Sequence, residues 1–131
     1  MADSPARLHL RRELEAYLTR LGYSSVRLTD GAPVPEIARI SPMRGRIAYG
    51  ETVLRSDLHR KRCHERLRFF SQRRTRHRSS ILFFIGVAEG SEQELEALLA
   101  RLDIRGTARG GHVHVVPIPA PEGTRRRVAS R

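Results

Sequence analysis

The chemistry this chain could do rests on two acidic side chains and a run of arginines. Between Arg46 and Leu54 the residues alternate. Ile47, Tyr49, Glu51 and Val53 fall on one face of a strand, with Ala48, Gly50, Thr52 and Leu54 on the other. One carboxylate, Glu51, thus sits on an otherwise apolar face. Burying such a charge is costly unless a metal, a cation, a hydrogen-bond network or a proton accompanies it. Directly afterwards, Arg55 to Arg78 holds ten Lys and Arg against two acids, Asp57 and Glu65, with three histidines besides. Guanidinium forks pair with phosphate oxygens two at a time. A lone acid on a core strand that feeds a cationic helix points to phosphate chemistry.

The whole chain repeats that bias. It has 131 residues, the size of one domain, and a formal net charge of +11. Such an excess favours a polyanionic partner, most often nucleic acid. An arginine-rich composition does not explain it. Lys61 is the only lysine among 25 basic residues, but exchanging lysine for arginine leaves net charge unchanged. A single cysteine, Cys63, permits no intramolecular disulfide and excludes a disulfide-stapled secreted domain. No apolar run approaches a membrane span, and the N-terminus lacks a signal-peptide stretch. The expectation is a cytoplasmic protein without membrane contact.

The elements that must position these residues follow from periodicity. Residues 1–6 read as a tail ending in a helix start, with Ser4 as N-cap and Pro5 at the first helical position. Leu14, Tyr17, Leu18 and Leu21 form a helical stripe, and Gly22 is a natural stop. Strands are expected over 24–29, 34–40 and 46–54, the last two joined as a hairpin through Ser41-Pro42-Met43-Arg44-Gly45. The basic helix should start near Ser56 and bury Leu58, Cys63, Leu67 and Phe70. Residues 80–87 form the most apolar run and read as a strand covered on both faces. Ser91-x-x-Glu94 reads as a capping box before the stripe Leu95, Leu98, Leu99, Leu102. A loop over 105–110 precedes a last strand over 111–118. The expected fold is a single three-layer α/β domain over 7–118, with a mixed sheet of about five strands in the order αβββαβαβ. A basic tail follows over 119–131.

This order, with acids on the second and third strands, resembles the PD-(D/E)xK nuclease superfamily, the restriction-endonuclease-like fold. Pro35-Glu36 resembles the first half of that family's motif, and Glu51-Thr52-Val53 the second. The resemblance spans roughly residues 7 to 118. It implies that Glu36 and Glu51 bind Mg²⁺, which bridges to a scissile phosphate. It also implies a lysine beside the attacking water, and a homodimer. The chain departs from the pattern in two places. Glu36 stands where aspartate is usual, and Val53 occupies the lysine position. Lys61 is then the only like replacement, which makes Glu36, Glu51 and Lys61 the candidate catalytic set. Arg55 is nearer, but guanidinium is a poor base.

Three functions follow from these residues. The first is nucleic-acid binding by a divergent relative of that fold, through Arg55, Arg60, Lys61, Arg62, Arg66, Arg73, Arg74, Arg76 and Arg78. Aromatic content is 5% with no tryptophan, so contact with the backbone of duplex DNA is favoured over stacking on single strands. The second is an active Mg²⁺-dependent endonuclease. The third is a protein-interaction module docking an acidic partner. Purely structural roles compete with all three. Glu36 could face solvent or pair with an arginine, and Glu51 could form a buried ion pair, for example with Arg39 or Arg46. His59, Cys63, His112 and His114 could hold zinc, against the plainer expectation that Cys63 packs in the core.

Overall fold

A helix whose ends are written in its sequence opens the domain. The structure, a computed structural model, describes residues 4–27, 33–43, 45–75 and 79–121. In α1 (Pro5–Arg20) the Ser4 hydroxyl accepts the Arg7 N–H at 3.2 Å, and Pro5 takes the first turn, where no N–H is needed. At the other end Gly22 adopts φ +94°, the left-handed conformation that glycine tolerates best. The Gly22 and Tyr23 N–H groups turn back onto the Thr19 and Leu18 carbonyls, which closes the helix as a Schellman motif. The sheet follows the order β1 (Ser24–Ser25), β2 (Ile37–Ile40), β3 (Ile47–Val53), β4 (Leu82–Ala88) and β5 (Val113–Ile118). The first two pairings are antiparallel and the last two parallel. Between them come α2 (Lys61–Ser71), which links β3 to β4, and α3 (Glu92–Arg101), which links β4 to β5. Among the described residues this is the expected mixed α/β domain, with three α-helices and five strands.

Two apolar layers sandwich the sheet. Leu10, Leu14 and Leu18 of α1 pack on one face with Ile37, Ala48, Phe84 and Ile118. Leu67 and Phe70 of α2 and Leu95, Leu98 and Leu99 of α3 pack on the other, against Tyr49, Val53, Phe83, Ile85 and Val87. Strand β4 therefore feeds both cores by simple alternation, as its unbroken apolar run implies. Leu14 lies over Gly50 and Gly86, where an added Cβ would stand 3.2 and 3.3 Å from its side chain. Two small residues on adjacent strands let α1 approach this closely.

Four local expectations are corrected. Strand β2 begins at Ile37, not Val34, because Pro35 has no N–H and the Glu36 N–H donates to the Glu51 carboxylate instead of to the ladder. The basic segment does not start as an α-helix capped by Ser56. A 3₁₀ turn, Arg55–His59, comes first, because Asp57 folds back to accept the Leu54 N–H at 2.9 Å. Arg60 is extended, and α2 starts at Lys61. Ser91 does not cap α3 through its side chain; the Glu92 carboxylate accepts the Gly90 N–H. Of the strand expected over 24–29, only Ser24–Ser25 is paired, and residues 28 and 29 lie outside the described residues.

Candidate nucleic-acid interface and the carboxylates beneath it

Alternation along β3 turns Glu51 toward α2, where its side chain is 5% exposed. One turn into that helix Arg66 reaches back. Its Nε donates to Glu51 Oε1 at 2.6 Å and its Nη2 to Oε2 at 2.9 Å, a two-pronged ion pair. The Glu36 N–H donates to the same Oε2 at 2.6 Å. Burial still pushes the Glu51 pKa above the usual carboxylate range, against the lowering effect of Arg66 and the Glu36 N–H. Arg66 also donates to the Val34 carbonyl at 3.1 Å and lies over the Phe70 ring at 5.1 Å. The expected buried pair exists, with Arg66 in place of Arg39 or Arg46. Arg39 faces α1 and pairs with Glu15 at 3.1 Å. Arg46 is exposed.

Glu36 belongs to the opposite face. A bend at this residue breaks the strand alternation and sends its carboxylate toward α1. Thr52 donates to Glu36 Oε1 from its backbone N–H at 2.9 Å and to Oε2 from its hydroxyl at 2.7 Å. Arg11 donates to Oε2 at 3.3 Å, and Arg7 approaches Oε1 at 3.9 Å. Arg7 also donates to the Thr52 carbonyl at 3.0 Å and to Asp57 at 2.5 Å. The two carboxylates are neighbours in register, yet cations approach them from opposite sides of the sheet.

This donor set does not fit Mg²⁺. All four oxygens of Glu36 and Glu51 already accept from protein N–H or O–H groups, and the pair does not converge on one face. Val53 is 1% exposed and packed among Tyr49, Leu58 and Val87. Lys61 does not replace the missing lysine. Its side chain is 90% exposed and stands 4.0 Å from Glu65 on the outer surface of α2. Arg55 pairs with Glu94 of α3 at 3.1 Å. Among the described residues no group of three or more His, Cys, Asp or Glu is placed to hold a metal. His64 contacts the Leu58 carbonyl at 2.8 Å and His112 the Ser71 carbonyl at 2.7 Å, while His114 stacks on Phe84. Burial, then the charges of Asp57 and Glu51, push the Cys63 thiol up to about 12.

Among the described residues, four further cations of the segment face outward. Arg60, Lys61, Arg62 and Arg68 are exposed, and Arg73 holds its guanidinium over the Phe69 ring at 5.3 Å. Arg74 is exposed at a bridge to Ser80. Arg76 and Arg78 lie outside the described residues. Phe83 and Phe84 are buried, as expected, and offer no stacking platform. In the loop over 105–111, Gly106 accepts the Val113 N–H and so covers the outer edge of β5. A cleft of about 660 Å³ near this loop, lined by Tyr17, Glu96, Arg109 and His114 among others, is distant in the fold from the carboxylates.

Sequence reasoning missed Arg7, Arg11, Thr52, Asp57 and Arg68. The signal for the first two was present: they stand four apart on α1, beside the apolar stripe. Among the described residues no helix is long and apolar enough to cross a membrane. Comparison with family models, with curated proteins and with solved structures returns no match for this chain.

Proposed function

We propose that this protein binds nucleic acid, with duplex DNA as the favoured form, on a nuclease-like α/β scaffold that has given up metal-dependent cleavage. The division of labour on one helix carries the reading. Arg66 turns inward and satisfies Glu51, while Arg60, Lys61, Arg62 and Arg68 project into solvent. Outward guanidinium groups on a rigid helix are suited to phosphate oxygens, and such contacts fix position without reading sequence. The paired carboxylates support the loss of catalysis. A guanidinium occupies the counter-charge role that Mg²⁺ would fill in the superfamily the chain resembles. That resemblance also implies a dimer, and the setting that suits this reading is cytoplasmic.

The test is fluorescence anisotropy with labelled duplex DNA across a salt series, beside a cleavage assay in Mg²⁺ and in EDTA. About four phosphate contacts predict a log–log salt slope near −4. Arg60→Glu/Arg62→Glu/Arg68→Glu should weaken binding by about a hundredfold or more at low salt, and no metal-dependent cleavage should appear. Cleavage that requires Mg²⁺ and is lost in Glu51→Gln would instead establish an active endonuclease. Salt-independent or absent binding would favour the protein-interaction role.

A further inference from the structure

Lys61, Arg62, Glu65 and Arg68 are the exposed residues of α2. Three are cations and one is an acid. At about 100° per residue, Glu65 falls between the cations, about 60° from Arg62 on one side and about 40° and 60° from Lys61 and Arg68 on the other. It is three or four positions from each, the spacing of helix-surface neighbours. None of them ties it down. Its side chain is 62% exposed, and Lys61 Nζ stands 4.0 Å away on a side chain that is 90% exposed. An exposed pair of this kind contributes little. Other acids near this segment are held by protein cations, Glu51 by Arg66, Asp57 by Arg7 and Glu94 by Arg55. A carboxylate at the centre of a phosphate-binding face repels the ligand that the cations attract. That conflict is resolved where the cations meet phosphates and the acid between them meets a hydrogen-bond donor.

The major groove of duplex DNA offers this arrangement, with phosphates along both walls and base edges on its floor. Arg62 and Arg68 lie about 120° apart on a helix about 12 Å across and about 9 Å apart along its axis, or about 13 Å in all. The groove is about 12 Å wide. Resting on the nucleic-acid reading above, we propose that α2 lies in the major groove, with Arg62 on one phosphate wall, Lys61 and Arg68 on the other, and Glu65 between them accepting from the cytosine N4 amine. An ionised carboxylate only accepts hydrogen bonds, so it needs a donor on the groove floor. Adenine sets its amine beside the N7 acceptor, a pair that suits an amide side chain, whereas cytosine presents its amine alone. Arg60, extended just ahead of Lys61, stays on the phosphate surface. The cations thereby position the helix, and Glu65 is its specificity-determining residue.

Wild type, Glu65→Ala, Arg62→Ala and Arg68→Ala, each as the full chain, test this assignment. Each is titrated against two labelled duplexes of equal length, one of G·C pairs and one of A·T pairs, at about 50 mM and about 200 mM salt. Circular dichroism melting controls for folding. Wild type should prefer the G·C duplex about fivefold or more, the size of one good base contact. Glu65→Ala should bring that preference within about twofold. Arg62→Ala and Arg68→Ala should weaken binding to both duplexes alike and lower each salt slope by about one, with the preference kept. A wild type without preference, or a Glu65→Ala variant that keeps it, overturns the assignment and leaves nucleic-acid binding intact. Equal tightening of Glu65→Ala on both duplexes overturns it as well, and makes Glu65 a charge brake on the phosphate surface. A wild type that binds neither duplex overturns both readings.

Discussion

Glu51 and Glu36 stand at facing positions of one hairpin, yet the protein treats their charges differently. Glu51 is nearly sealed from water and depends on one cation, Arg66, for both oxygens. Glu36 is more open, with its side chain 14% exposed, and spreads its contacts over Thr52, Arg11 and Arg7. A sealed charge with one partner is brittle, because removing the partner leaves the full desolvation penalty in place. A charge with several partners at the margin of solvent degrades gradually. The comparison shows how one strand pair carries two acids without bringing them to a common ligand.

The sharpest way to break the comparison is Arg66→Met. It leaves Glu51 buried and unpaired, and should cost about 3–5 kcal/mol, read as a lower urea midpoint. Adding Glu51→Gln to that variant should recover much of the loss, and a double variant as unstable as the single one would show that the pair is not the cause. Glu36→Ala should cost less, about 1–3 kcal/mol, because Arg11 can turn to solvent while Arg7 keeps Asp57. A greater loss at Glu36 than at Arg66 would reverse the ranking.

Acidity sharpens the contrast further. Burial raises the Glu51 pKa, so the folded chain holds that proton more tightly than the unfolded chain does. Between the unfolded value of about 4.3 and the raised folded value, the native state carries the extra proton, and stability contributed by this group falls as pH rises. A pH series of urea midpoints should therefore be flatter in Glu51→Gln than in wild type over the mildly acidic range. An unchanged slope would mean that another group carries it.

The smallest effect uses Cys63 as a reporter. Its thiol is raised by burial first, then by Asp57, then by Glu51. Alkylation of the native protein should run far slower than in urea, on the order of a hundredfold, because little thiolate exists at neutral pH. Asp57→Asn should speed it more than Glu51→Gln, since Asp57 is the stronger of the two neighbouring charges on the thiol.

Much of this was legible in residue types. Ser4, Pro5 and Gly22 set the bounds of α1 because caps are local chemistry between a few neighbouring residues. The alternation of β3 placed Glu51 on the core face correctly, because a strand has a fixed period of two. The start of α2 differs from the local pattern because Asp57 accepts the Leu54 N–H, a fold-back that its ion pair with Arg7, fifty positions earlier, also holds. The need of Glu51 for a counter-charge was readable, but its source was not, since ten cations follow it and only packing selects among them.

Sequence alone therefore determined the element order, the two-sided burial of β4 and the cationic character of the α2 segment. These depend on local periodicity and on composition. Only the tertiary structure decided that Arg66 faces inward while Arg62 and Lys61 do not. It also decided that a bend at Glu36 sends its carboxylate to the α1 side. Both choices depend on how a helix is rotated about its axis and where a chain bends. Those quantities are set by contacts between residues far apart in sequence, which no local pattern records.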